Sequence, residues 1–516
     1  MVNRLIMKRN ILLMLALSFI SLSAQNSYDA SRLFSQEQNG TARFVGMGGA
    51  MSALGGDISV MSTNPAGIGV YRGQDVALSL SVDNVSATSR YSGTRNINNK
   101  NATKFSFDNV GIVLANRVDG SSIKFVNLGM AYKRNANFNR KFAMSAALEN
   151  SSLKVDDFSQ VYEMMTLYNT TPFDVNDMSY KNYTSLNYNW LALMGYEANL
   201  YSIDGSGPYI HYRPTNLEYS SEEKGGVDEV DLNLSMNISD RIYLGATLGF
   251  YSVDYNRYSY YGEDDALGEI YTLHNWFSTA GAGFDLKFGA IFRPFAESPF
   301  KFGIAFHTPT WYTLSDRSSA CLENPMDGYT VDTQDLNSYG EDYIANYRLT
   351  TPWRVNASAA YTFGRFLALN AEYEYADYSS VGMLYFDGYD NYALNDEFES
   401  NLKNVHIVRV GAEIRLSGNV SLRGGYNYVS APYKTDAAKY MIAVTDTNTE
   451  YLNRFDTHSA TLGIGYYYKN IYADFAYRYS MQRSDFYPYY DSEIQGPSSS
   501  VRDVRNHFVL TIGGRF

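Results

Sequence analysis

The 516-residue chain has a single cysteine, Cys321, and only 12 prolines. One thiol excludes an internal disulfide and a thiol-rich metal cluster. Positive charge is also scarce, with 42 Lys and Arg against 54 Asp and Glu for a formal charge of −12. Such a balance lacks the basic footprint that nucleic acid requires. After the N-terminus no stretch reaches the roughly 18 consecutive apolar residues of a spanning helix. No H-E-x-x-H or G-x-S-x-G occurs, and Gly46-x-Gly48-Gly49 lacks the third glycine and the strand–helix context of a dinucleotide loop. The histidines, His211, His274, His307, His406, His458 and His507, are spread without paired ligand spacing. No enzyme and no cofactor is therefore expected. Glu263, Asp264, Asp265 and Glu269 read as a solvated acidic loop rather than a Ca²⁺ site.

What the chain has in abundance is Tyr (47), Gly (40) and Phe (28). Residues 1–24 follow the order of a secretory signal peptide: Lys8 and Arg9, an apolar run Ile11–Leu22, then small residues to Ala24. The mature chain alternates apolar and polar residues. Val76, Leu78, Leu80 and Val82 share one face, as do Phe284, Leu286, Phe288, Ala290 and Phe292. Fourteen such segments are expected, at 73–84, 104–116, 122–134, 227–238, 241–255, 279–293, 299–309, 351–363, 365–378, 404–416, 419–430, 457–468, 471–482 and 504–516. Even-numbered gaps are short and odd-numbered gaps are long, from 85–103 to 483–503. Long loops at one rim and short turns at the other, with an even strand count, predict an all-β fold. It is a 14-stranded antiparallel transmembrane barrel, residues 73–516, of the bacterial outer membrane. The Tyr-rich strand ends suit interfacial belts.

Two regions break the alternation. Residues 25–72, rich in Gly and Ala, precede the first strand and can fold into the lumen as a hatch. The loop 135–226 carries helix-like stretches at 152–168 and 185–201. In the second, Leu186, Trp190, Leu193 and Met194 share a helical face that either lines a ligand groove or forms a small loop core.

The N-terminal region reads Ala42-Arg43-Phe44-Val45-Gly46-Met47-Gly48-Gly49-Ala50 and, later, Asn64-Pro65-Ala66-Gly67. It resembles the hatch of outer-membrane transporters for long-chain fatty acids and toluene-like hydrocarbons (FadL/TodX type), marked by an Asn-Pro-Ala turn before the first strand. Gly303–Pro309, Arg409–Glu413, Leu422–Tyr426 and Leu462–Tyr466 resemble that family's strands; the loop 135–226 departs from it. The resemblance implies passive uptake of hydrophobic small molecules, a hatch and gate at Asn64, Pro65 and Ala66, and lateral release at a kinked third strand. A switch of apolar phase around Val126–Asn127, just before Gly129, is the expected position of that kink. Asn64 can satisfy turn backbone and Pro65 makes the turn rigid. Expected partners are the hydrophobic substrate, outer-membrane lipid and lipopolysaccharide, and the barrel-assembly machinery through the terminal Phe516; the chain is expected to be monomeric. A haem receptor and a general porin for polar solutes are the alternatives.

Overall fold

The structure, a computed structural model, describes residues 26–35, 37–91, 97–148, 159–174, 188–295, 298–336, 340–416, 418–439, 444–489 and 498–516. The segment read as a signal peptide lies outside the described residues.

The described residues form a closed antiparallel barrel of 14 strands. They are β1 Asp75–Tyr91, β2 Ile97–Arg117, β3 Ile123–Asn137 continued by Arg140–Ala147, β4 Asn216–Ile238, β5 Ile242–Asp265, β6 Gly268–Phe292, and β7 Lys301–His307 continued by Trp311–Asn324. Next come β8 Tyr343–Thr350 with Arg354–Phe363, β9 Leu367–Asp377 with Gly382–Tyr385, β10 Asn404–Arg415, β11 Val420–Val429, β12 Tyr451–Tyr468, β13 Ile471–Tyr487 and β14 Ser499–Arg515. β14 closes on β1 from Asp75↔Arg515 to Tyr91↔Ser499.

Alternation gives the wall two opposite faces. Leu78, Ile112, Met130, Leu234, Phe288, Ile304, Leu369, Val410, Ile464 and Leu510 are exposed on the outside. Their neighbours along the strands, among them Ser79, Asn127, Asn233, Asp285, His307, Glu372, Arg409 and Thr511, are buried within. Apolar outside and polar inside is the arrangement of a barrel immersed in lipid.

Several expected loops are strand instead. The stretch 256–278 continues β5 and β6 to a tight turn at Gly268, and 97–103 belongs to β2. Above the bilayer these hairpins need no apolar face, so the sequence loses its alternation there while the ladder goes on. β7 and β8 break side by side at Thr308–Thr310 and Thr351–Trp353, where Pro309 and Pro352 lack a backbone donor. Thr310 and Thr351 repair the seam: the Thr351 N–H donates to the Thr310 carbonyl (3.1 Å) and the Thr310 N–H to the Thr351 hydroxyl (2.8 Å).

The loop after β3 carries helices α3, Gln160–Thr170, and α4, Trp190–Glu197. Together with inward residues of β1, β3–β7, β13 and β14 they form one apolar cluster at the extracellular end. Leu193 and Met194 belong to that cluster, and Trp190, also buried, sits edge-on to Tyr343. These three residues are thus the interior of a cap, not the lining of an open groove; Leu186 lies outside the described residues.

Candidate functional site

Residues 26–72 precede β1 and lie against the inner wall. Helix α1 (Ser27–Phe34), helix α2 (Ala42–Gly46) and 3₁₀ turns at Ile58–Ser62 and Pro65–Val70 make up the segment. Side-chain caps start each element: Asn26 for α1, Thr41 for α2, Asp57 and Asn64 for the 3₁₀ turns. Met47, Met51, Ile58, Met61 and Ile68 form its apolar core with Ala77, Val113, Ala131 and Ala360 of the wall.

The wall makes room with glycine. A Cβ at Gly111 would strike Ile58, at Gly129 Met61, at Gly245 Pro65, at Gly289 Asn64, and at Gly411 and Gly425 the backbone near Met47. The Asn-Pro-Ala turn is wedged in this bed. Asn64 Oδ1 accepts from the Ala66 N–H (3.2 Å), Asn233 donates to the Pro65 carbonyl (3.3 Å), and His307 Nε2 meets the Thr63 carbonyl (3.0 Å). Asn127 donates to the carbonyls of Ile68 (2.7 Å) and Tyr71 (3.1 Å). Arg43 pairs with Glu413, which also holds Arg423. The inward glycines were the signal that sequence reading missed: each sits at an inward position of an alternating strand.

The third strand does bend, but not at Val126–Asn127. Its register shifts fall at Lys124, between Ile123 and Phe125, and at Asn135, between Arg134 and Ala136. The first accounts for the change of apolar phase; Val126 itself pairs regularly with Asn116 and Met236. Asn127 and Gly129 bed the N-terminal segment rather than form the kink. The bend lies at Phe138–Asn139, opposite Gly225, whose φ of +107° is open to glycine and whose absent Cβ avoids the Asp254 carbonyl.

Ahead of the bend β3 parts from the ladder with β2. The β2–β3 ladder runs from Arg117↔Phe125 to Asn109↔Lys133 and stops. There β2 bulges against β1, so that Asp108 and Asn109 are both buried. Beyond it β3 leaves β2, stays paired with β4, and passes inside β1, where the Ser89 hydroxyl donates to the Ala143 carbonyl (2.6 Å). Nine rungs at about 3.3 Å, tilted about 40°, rise roughly 23 Å, so the ladder ends in the outer part of an apolar band about 25 Å tall, with Phe105 and Phe107 of β2 still exposed beyond it. A second interruption, between β9 and β10 above Asp377↔Asn404, is filled by helix α5, Tyr392–Asn401, whose Leu394 and Phe398 are buried.

Two inward residues of β14, Asp503 and Arg505, hold the bent strand, and a third, His507, holds the carboxylates of β1 and β2 beside it. Asp503 pairs with Arg140 (3.1 Å), Arg505 donates to the Asn137 carbonyl (3.0 Å), and His507 bridges Asp83 (2.8 Å) and Asp108 (3.1 Å). Asn137 also donates to Asp83 (3.0 Å).

A cavity of about 220 Å³ adjoins the bend. Ala136, Asn137, Phe138 and Arg140 form one side, and Ser31, Arg32, Glu37 and Gln38 of the N-terminal segment another. Five arginines line it, Arg32, Arg140, Arg454, Arg478 and Arg505, against three carboxylates, Glu37, Glu223 and Asp503. No histidine lines it. Among the described residues no cluster of three metal-ligating side chains occurs.

By sequence the chain matches no family model and no curated protein. Structural comparison is different. A Pseudomonas aeruginosa FadL homologue aligns over 93% of this chain and 99% of its own, with a TM-score of 0.52 at 11% identity. The Pseudomonas putida toluene transporter TodX aligns over 94% and 100%, with a TM-score of 0.51 at 11% identity. The chain has the FadL/TodX fold. At this identity the likeness is one of architecture, and the chemistry of this lumen has to be read from its own residues.

Proposed function

We propose that the chain is an outer-membrane channel for passive uptake of hydrophobic small molecules, with residues 26–72 as its hatch and the β2–β3 opening as its lateral exit. The observation that carries this reading is the adjacency of the cavity and the end of the β2–β3 ladder: the ladder stops at Lys133, and Ala136, Asn137, Phe138 and Arg140 of the same strand line the cavity. An apolar solute that leaves sideways keeps its surface out of water, which is worth about 25 cal/mol per Å². The monomer would sit among outer-membrane lipid and lipopolysaccharide after insertion through Phe516, which is exposed at the periplasmic rim.

The lining favours an amphiphile with an anionic head, such as a long-chain fatty acid, over a neutral hydrocarbon. Five guanidinium groups against three carboxylates leave a positive surplus in a buried space. An exit in the outer part of the apolar band puts the head of such a molecule among headgroups and its tail in hydrocarbon. A general porin would need an open lumen where the cap and the N-terminal segment are packed.

Uptake of a labelled C18 fatty acid and of the matching alcohol by expressing cells tests the reading. Deletion of Asn135, the extra residue of the bulge, supplies the gate variant. Saturable uptake of the acid, weaker uptake of the alcohol and loss of both in the deletion variant are expected. Absence of uptake together with steady ohmic conductance of the purified protein would overturn the proposal in favour of a porin.

A further inference from the structure

Glu37 lies on the cavity wall beside its arginines. Its carboxylate pairs with Arg505, and its other oxygen accepts from the Asn39 side chain (3.1 Å). The next two residues serve the neighbouring arginine: Arg478 donates to the Gln38 carbonyl (2.5 Å) and to Asn39 Oδ1 (3.2 Å). Residues 37–39 therefore form a strap across two guanidinium groups of the wall.

Among the described residues Glu37 is the only carboxylate in an ion pair with either arginine. Arg478 is buried at 3% exposure and has no carboxylate within ion-pair distance among the described residues; its Nε has no hydrogen-bond partner. Arg454, on the same cavity, likewise makes no ion pair among the described residues. Arg32 and Arg140, by contrast, are bound to Asp29, Glu223 and Asp503. Arg454 shares a second cavity with Glu223 and makes no hydrogen bond or ion pair to the strap among the described residues, so the positive charge that the strap covers is that of Arg478 and Arg505. Arg505 also holds the Asn137 carbonyl of the β3 bend, so one guanidinium contacts both the hatch and the bend.

We propose that Arg478 and Arg505 form an anion site that the chain's own Glu37 occupies at rest, and that the anionic head of the cargo displaces Glu37 and frees the strap. This rests on the uptake reading above and adds to it an internal competitor. The competing groups match: a carboxylate for a carboxylate, with the backbone carbonyl of Gln38 as the secondary acceptor that the cargo must replace on Arg478. Release of residues 37–39 loosens the segment between α1 and α2, on the cavity side of the hatch. The N-terminal segment would then respond to cargo rather than fluctuate independently of it. A neutral molecule of the same length can fill the cavity but has nothing to exchange for Glu37.

The test uses full-length protein in lipid nanodiscs with a C18 fatty acid and its alcohol as probes, and compares Glu37→Gln and Arg505→Ala with the parent. Glu37→Gln keeps the size of the side chain, and heat-modifiable migration on gels verifies that each barrel is folded. Removing a resident competitor should tighten fatty-acid binding by about tenfold in Glu37→Gln and leave the alcohol unchanged. In the parent, the acid but not the alcohol should accelerate hydrogen exchange over residues 37–48; in Glu37→Gln exchange should be fast before any addition. Equal affinity of parent and Glu37→Gln, or acid binding without any change in exchange, would overturn the displacement proposal while leaving uptake intact. Failure of the acid to bind any of the three proteins would overturn the anionic-cargo reading itself.

Discussion

Glu397 accepts two hydrogen bonds from Ser27, one from the backbone N–H at 3.0 Å and one from the hydroxyl at 2.5 Å. A carboxylate on α5, in an extracellular loop, thereby holds the first residue of the N-terminal helix α1, at the far end of the segment from β1.

This contact makes the docking of α1 sensitive to pH. Burial pushes Glu397 up to about 7 from an ordinary 4.5, with Asp446 adding to the rise and the Ser27 bonds and Lys439 opposing it. The folded state then binds the proton more tightly than the unfolded one. The stabilisation is complete below about 4.5 and is lost as pH rises through about 7. Hydrogen exchange of residues 27–34, corrected for the intrinsic pH effect, should be slower at pH 5 than at pH 8. Glu397→Gln should abolish the difference.

Gly289 and Gly245 bed the Asn-Pro-Ala turn. Alanine at Gly245 meets the Pro65 backbone and alanine at Gly289 meets the Asn64 side chain and the Ala66 nitrogen. Both replacements should displace the turn, by more at Gly245, where only backbone can give way. Planar-bilayer recordings should show increased conductance for Gly245→Ala and a smaller increase for Gly289→Ala.

Asn127→Ala removes two hydrogen bonds to the carbonyls of Ile68 and Tyr71 and leaves both acceptors buried. A cost of about 1–3 kcal/mol is expected. It should appear as faster proteolysis of the N-terminal segment, while the barrel itself keeps its heat-modifiable migration.

Met194 is fully buried and Leu193 almost so within the cap. Leu193→Ala should destabilise the cap by about 2–5 kcal/mol. A role in cap packing predicts faster exchange across α3 and α4 together, with fatty-acid affinity unchanged; loss of affinity without altered exchange would instead mark a binding surface.

The wall of the barrel was legible because lipid and lumen impose opposite demands on successive residues. Phe284–Phe292 and Phe508–Phe516 show that demand as clean alternation, and the structure places both where the pattern does. Above the bilayer the demand ends. Arg257, Tyr258, Ser259 and Tyr260 lie in a strand without apolar alternation, since its outer face meets water and its buried inner face is built of polar and aromatic side chains. The Asn-Pro-Ala turn could be read from its own residues, but its bed could not. That bed is assembled from single glycines on separate strands, and only closure of the barrel brings Gly111, Gly245, Gly289 and Gly411 around one segment. The bend of β3 was misplaced for a related reason. A change of apolar phase records any inserted residue, and the one at Lys124 masks the later one at Asn135, where small and polar residues carry no phase to lose.

The departure of β3 has a consequence for β2. From Ile97 to Phe107 this strand has a ladder partner on β1 alone, so its other edge presents backbone donors and acceptors without a strand to receive them. Such an edge is a template for strand addition from a neighbouring molecule. The chain guards it by composition. Residues 98–104 read Asn-Asn-Lys-Asn-Ala-Thr-Lys, and both lysines are exposed. Each charge must be buried or displaced before another strand can lie alongside, which disfavours pairing between copies crowded in one membrane. Replacement of Lys100 and Lys104 by valine would remove that guard and turn this stretch of β2 into an adhesive edge.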